Sequence, residues 1–296
     1  MPDPEPEAQP EPEPAARRAT RPRWQSLLLH GGLLLAAVVM TYPLLWLLGS
    51  SLKPSEEIFG SQSLIPGSPT LENYTAGWSA NEVSFGWFLV NSLLVCAGAC
   101  IGNVVSCSLA AYAFARINFR FRKLWFALML GTVMLPAHVT LVPQYFVFYN
   151  VGWVDTYLPL VVPKFLAVDA FFIFLLVQFI RSLPTELDEA AELDGCGRFA
   201  TFTKVILPLM RPALATTAVF TFIWTYEDFL TPLIYLSDTG TYTVPLGLRL
   251  FLNGLGQQSY GQLFAMSMLS LVPVLGFFVL FQRRLLDGIA TTGLKG

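Results

Sequence analysis

The chain has 296 residues, of which 54% are hydrophobic and only 13% charged, with a formal net charge of -2. Soluble domains carry about 25% charged residues, so this composition excludes an ordinary soluble globular protein and points to the membrane class. No basic stripe with interleaved aromatics tracks along the chain, which argues against a nucleic-acid partner.

Residues 1–23 are rich in Pro and Glu and then in Arg. That composition buries too little apolar surface to offset the entropy of ordering, and it predicts a disordered cytoplasmic tail. The apolar run from Leu27 to Leu48 is long enough to cross a bilayer and reads as an uncleaved anchor. Further stretches of spanning length follow at about Phe85 to Phe114, Leu124 to Phe148, Tyr157 to Ile180, Ala213 to Leu236 and Leu263 to Phe281. The expected fold is therefore an all-α integral membrane protein of about six transmembrane helices. Prolines such as Pro43, Pro136, Pro143 and Pro273 are expected to kink or end helices.

Positive charge sets the orientation, because Lys and Arg collect in cytoplasmic loops. Arg17, Arg18, Arg21 and Arg23 precede the first span, and Arg116, Arg120, Arg122 and Lys123 lie between the second and third. Arg181, Arg198, Lys204 and Arg211 lie between the fourth and fifth, and Arg283 and Arg284 follow the sixth. The alternate loops hold chiefly Lys53 and Arg249. Both termini are expected in the cytoplasm, in a multi-pass protein of the cytoplasmic membrane.

The segment between the fourth and fifth spans, about 182–212, carries the most information. Thr185 and Asp188 have the spacing of a capping box, so a short helix should start there and run through Leu187, Ala190, Ala191 and Leu193 until Gly195 stops it. A second helical stretch, about Arg198 to Ile206, sets Phe199, Phe202, Val205 and Ile206 on one apolar face before Pro208 and Pro212 redirect the chain. An amphipathic helix resting on lipid puts Lys and Arg on its polar face. Here that face holds Glu186, Asp188, Glu189, Glu192 and Asp194, which favours an element that projects into a groove on a partner.

Other chemistry is sparse. Cys96, Cys100, Cys107 and Cys196 lack paired CxxC spacing, and His30 and His138 are isolated, so no metal site is expected. No GxxxxGK[ST] phosphate loop is present, and no clustered His, Ser or carboxylate constellation suggests catalysis, so the chain reads as a non-enzyme. Glu227 and Asp228 are the intramembrane acids, expected near the periplasmic end of the fifth span, where they either face a translocation path or meet neighbouring helices and interfacial water. Lys164 and Asp169, near the start of the fourth span, read as snorkelling or paired. An ion-coupled secondary transporter using Glu227 and Asp228 is the alternative reading of these residues.

The run EAAELDGCGRFATFTKVILPLMRP resembles the EAA loop of the membrane subunits of binding-protein-dependent ATP-binding-cassette importers. Glu189, Ala190, Ala191, Asp194, Gly195, Phe202, Ile206, Leu207 and Pro208 match its pattern, and Cys196 stands where the family usually has Ala. SLKPSEEIF with PTLENY, FLVNSLLV, MLP followed by VPQY, and the closing TTGLKG extend the resemblance to the carbohydrate branch, specifically its second permease subunit. The resemblance implies a transmembrane domain over residues 24–296 that pairs with a second, unlike permease and is served by two cytoplasmic ATP-binding subunits and an extracytoplasmic solute-binding protein. ATP and Mg would belong to those partner ATPases, with no cofactor in this chain. It also implies that Glu189, Ala190, Ala191, Asp194, Gly195, Cys196, Phe202, Leu207 and Pro208 couple the chain to the ATPases.

Overall fold

A computed structural model describes residues 23–60, 63–253 and 259–293, and the chain divides into two units, 1–46 and 47–296. The Pro/Glu-rich tail, apart from Arg23, lies outside the described residues, as do part of the 241–260 loop and the end of TTGLKG. Every regular element among the described residues is helical. The first unit holds most of α1 (Arg23–Ser51), whose apolar side chains from Leu27 to Met40 are open, as a lipid-facing helix requires.

In the second unit, short helices α2 (Ser55–Gly60) and α3 (Glu72–Trp78) precede α4 (Phe85–Arg116), a proline-free helix of 32 residues that forms the spine. Then come α5 (Arg122–Thr132), α6 (Ala137–Asn150), α7 (Leu158–Val161), a 3-10 turn (Val162–Leu166) and α8 (Ala170–Ser182). Helix α9 (Glu186–Leu193) leads into an arm made of α10 (Arg198–Thr201), a π-helical turn (Phe202–Ile206) and α11 (Leu207–Leu209). The unit continues with α12 (Arg211–Glu227), α13 (Leu230–Tyr235), α14 (Val244–Asn253) and α15 (Ser259–Gly293).

Four segments are long and apolar enough to cross a membrane: Leu27–Ser51, Phe85–Arg116, Leu158–Ser182 and Tyr260–Gln282, with a fifth if the arm and α12 are taken together. The stretch predicted from Leu124 to Phe148 is instead two helices of 11 and 14 residues, broken before Pro136. At 1.5 Å per residue they reach only about 16 and 21 Å, each short of the roughly 30 Å hydrocarbon core. The stretch Ala213–Leu236 is also not one helix, because Asp228 (ψ 114°) ends α12 and the chain restarts as α13.

Three apolar clusters hold the second unit. One joins the C-terminal half of α4 to α8 and the arm through Cys107, Ala111, Leu176, Phe202 and Ile206. Another joins the N-terminal half of α4 to α12, α14 and α15 through Phe85, Phe88, Phe222 and Met266. A third gathers Val95, Leu160, Tyr235 and Leu246. Cys96 and Cys107 are buried on α4 and act as small hydrophobes. Polar bonds rivet the apolar frame: Asn103 Nδ2 donates to Thr221 Oγ1 (2.8 Å), Tyr226 OH to the Ser270 carbonyl (2.9 Å) and Asn91 Nδ2 to the Gly240 carbonyl (2.9 Å). With no hydrophobic drive between helices in lipid, such bonds and close backbone packing hold a bundle together.

Close packing is clearest where Gly98 and Gly102, one turn apart on α4, meet the Val161–Phe165 segment. A Cβ on Gly98 would lie 2.8 Å from Val161 Cγ1, and one on Gly102 would strike the Phe165 ring. The pair forms a GxxxG stripe, which lets the irregular 158–166 backbone lie directly on the spine.

Candidate functional site

The segment between α8 and α12 folds as a helix, a turn and a second helix, and the end of α4 braces both halves. Arg116 Nη2 donates to the carbonyls of Leu183 (2.7 Å) and Pro184 (3.3 Å), while its Nε lies 3.1 Å from Asp188 Oδ2. One turn earlier, Tyr112 OH donates to the Arg198 carbonyl (3.2 Å), and its ring packs on Phe202 at 5.0 Å. Arg116 therefore holds the entry of α9 and Tyr112 holds the start of the arm. Tyr112 was missed in the sequence, and Arg116 was read there only as an orienting charge. Their i, i+4 spacing at the end of a long span was the available signal.

The capping box does not form. Thr185 has helical backbone angles (φ -72°, ψ -22°) where a capping residue is usually extended, and its side chain makes no cap bond. Its carbonyl instead accepts from the N–H groups of Asp188 (2.9 Å) and Glu189 (3.3 Å), and the Asp188 carboxylate turns to Arg116.

The far end of α9 is a Schellman turn. Gly195 N–H donates to the Glu192 carbonyl (3.0 Å) and Cys196 N–H to the Ala191 carbonyl (2.9 Å), with Gly195 at φ +80°. That positive φ is what requires glycine, since nothing lies within 4 Å of the place a Cβ would take. Close approach within this chain is thus not its role, and the surface above it is open.

This geometry sorts the sequence-predicted coupling residues into two sets. Ala191 and Phe202 are buried and fasten the element to the bundle, with Leu207, Pro208 and Cys196 partly covered. Glu189, Ala190, Asp194 and Gly195 are exposed together around the turn. Beside them Leu193 is 90% and Phe199 71% exposed. Phe199 was expected on the apolar face with Phe202 and Ile206, but only the latter two reach the core. An open Leu and Phe flanking a polar turn make a surface suited to a partner. Beyond the turn, the arm meets α12 at 77°, with buried Met210 at the corner.

The second predicted pair separates. Glu227 is exposed, whereas Asp228 borders a cavity of about 590 Å3 between α4, α6, α8, α12 and α13. Asp228 Oδ1 accepts the N–H of Thr231 (3.0 Å), so its carboxylate also opens α13. The same cavity is lined by Gln144, Thr225, Trp153 and Trp224, and by Lys164 and Asp169, whose side chains pair at 2.8 Å. Of the two sequence readings for Lys164 and Asp169, pairing is the one found.

Next to Trp153 and Tyr235 of the cavity wall, the chain is clasped. Asp155, at φ +65°, accepts the N–H groups of Ser237 (2.8 Å) and Asp238 (3.0 Å), while its own N–H donates to the Tyr235 carbonyl (2.7 Å). These donors hold its carboxyl below the usual carboxylate range, the Asp238 N–H contributing most.

Comparison with known proteins places these features in a family. Residues 102–288 match the family model described as binding-protein-dependent transport system inner membrane component. The chain is 35% identical to the trehalose/maltose transport system permease protein MalG of Thermococcus litoralis, over 92% of this chain and 98% of that one. It is 31% identical to the sn-glycerol-3-phosphate transport system permease protein UgpE of Yersinia enterocolitica, over 88% and 94% respectively. Its fold matches a solved chain from a bacterial ABC transporter involved in the import of the acidic polysaccharide alginate, with a TM-score of 0.78 at 18% identity, covering 88% of this chain and 96% of that one. Membership of this family displaces the ion-coupled reading of Glu227 and Asp228. The chain belongs to the binding-protein-dependent transport system inner membrane components, the permeases of ABC importers.

Proposed function

We propose that this chain is one of two unlike pore-forming permeases of an ATP-driven importer that moves a sugar or sugar-like solute inward across the cytoplasmic membrane. The observation that carries the reading is the braced helix-turn-helix after α8, with Leu193 and the Gly195 turn left open. Its basic flanks support a cytoplasmic position for it and for both termini, and six crossings, the third made by α5 and α6 in series, satisfy that topology. Residues 24–296 are the transmembrane domain, with 1–23 as a cytoplasmic tail. The names of relatives that carry trehalose, maltose and glycerol phosphate support a polyhydroxylated solute.

ATP and Mg are bound and hydrolysed by two partner subunits, and a solute-binding protein delivers from outside. Closure of the ATPases displaces α9 and the arm. Arg116 passes that displacement to α4, and the 77° corner at Met210 passes it to α12. Both helices line the cavity at Asp228, so its access changes with the nucleotide state.

Co-purification of the native complex tests this with Leu193→Asp and Ala190→Arg, both on exposed positions that leave the fold intact. A second permease and an ATPase should accompany the wild-type chain, and the ATPase alone should be lost from the variants. Recovery of the ATPase at wild-type levels from both variants would overturn the docking surface.

A further inference from the structure

Arg211 opens α12 at the outer side of the corner, and it is exposed. Its side chain forms no hydrogen bond, ion pair or ring contact with any described residue, unlike those of Arg116, Lys164 or Lys53 in the same unit. Two apolar hollows flank it. One, of about 480 Å3, lies between α4 and the arm and is walled by Val105, Leu109, Phe199 and Leu207. The other, of about 460 Å3, lies between α4, α12 and α15 and is walled by Val104, Leu214, Ala218 and Phe281. Arg211 borders both.

We infer that this corner is a binding site for one anionic phospholipid, with its phosphate on Arg211 and one acyl chain in each hollow. The match is one of charge and shape together. A guanidinium pairs with a phosphate through two parallel N–H donors, and the positive end of a 17-residue helix adds to the attraction. Basic positions between transmembrane helices on the cytoplasmic side recognise lipid head groups in this way. The two hollows share Val104 and Leu214 as well as Arg211, so a two-chain lipid whose phosphate sits on Arg211 reaches both. The inference needs Arg211 at a membrane boundary and does not depend on which solute is carried. Wedged between arm and spans, the lipid would stiffen the corner.

Native mass spectrometry of the purified full-length chain in gentle detergent, titrated with phosphatidylglycerol or phosphatidylcholine, reads the site directly. Wild type and Arg211→Lys should retain phosphatidylglycerol in preference to phosphatidylcholine. Arg211→Gln should weaken phosphatidylglycerol binding about fivefold and leave phosphatidylcholine unchanged, from roughly 1 kcal/mol per basic residue at a membrane surface. Val105→Trp, which fills the first hollow without touching the charge, should weaken both lipids. Equal retention of the two lipids by wild type, or wild-type retention by Arg211→Gln, would overturn the site. So would cross-linking of Ser108→Cys to a second permease in the native complex with exclusion of lipid, because a protein would then cover the hollow.

Discussion

The guanidinium of Arg116, at the end of the longest buried helix, sits 3.1 Å from the carboxylate of Asp188 in the first turn of the projecting helix. Both side chains are largely covered, at 10% and 24% exposure, and Arg116 also holds two backbone carbonyls. Arg116→Ala should lower stability by about 3 kcal/mol, and Asp188→Asn by about 1 kcal/mol. Thermal unfolding of the two variants and the double variant measures this, with a coupling term of about 1 kcal/mol or more expected. Purely additive losses would show that the pair does not act as a unit.

Gly102 faces the Phe165 ring without room for a side chain. Gly102→Val should push the 158–166 segment off α4 and destabilise the protein by about 1–3 kcal/mol, the usual range for overpacking. Gly131→Ala is the control, because nothing lies within 4 Å of a Cβ there. A melting temperature unchanged by Gly102→Val would remove the GxxxG stripe from the packing account.

Asp155 has a folded-state pKa below its ordinary 3.8 because two N–H groups bond its charged form. A depressed acid stabilises the fold above its unfolded pKa and loses that contribution as pH falls through the folded one. The clasp should therefore be intact at pH 5 to 8 and open only in strong acid, below about 3.8. Proteolytic nicking near Ser237 reports it: Asp155→Asn should match wild type at neutral pH, since an amide oxygen still accepts both bonds and Asn tolerates positive φ. Asp155→Ala should be cut several-fold faster. Equal rates for all three would show that the loops are held by something else.

Asp228 has two candidate roles that one pair of substitutions separates. As a helix-opening acceptor for Thr231, it should be replaced by Asn at little loss, while Ala costs about 1 kcal/mol. As a charge facing solute, Asn should already raise the transport KM while the melting temperature holds. Vesicle uptake measured beside thermal unfolding on Asp228→Asn and Asp228→Ala distinguishes the two.

Much of the architecture was legible because hydropathy and Arg placement act over whole segments. The spans at Phe85–Arg116 and Tyr260–Gln282, and a short helix ending at Gly195, needed only composition, length and one glycine. What escaped depended on contacts between distant residues. Thr185 and Asp188 had the right spacing for a cap, and nothing local revealed that Arg116 would claim the carboxylate. Glu227 and Asp228 are neighbours that look equivalent in sequence, yet the helix ends between them and only Asp228 borders the cavity. Pro136 marked the break between α5 and α6, which a hydropathy window averages over and so does not see.

The arm meets α12 at 77°, and on the proposed coupling the corner at Met210 would work as a bell-crank. Arg198–Leu209 is roughly 18 Å long at 1.5 Å per residue, so a tilt of about 10° carries its tip about 3 Å. Because the two limbs stand at 77°, a push across the arm at its tip would become torque on α12 rather than a push along it. On the proposed coupling, α12 ends at Asp228, so small rocking of the arm would swing that end sideways, the direction in which a passage between helices opens.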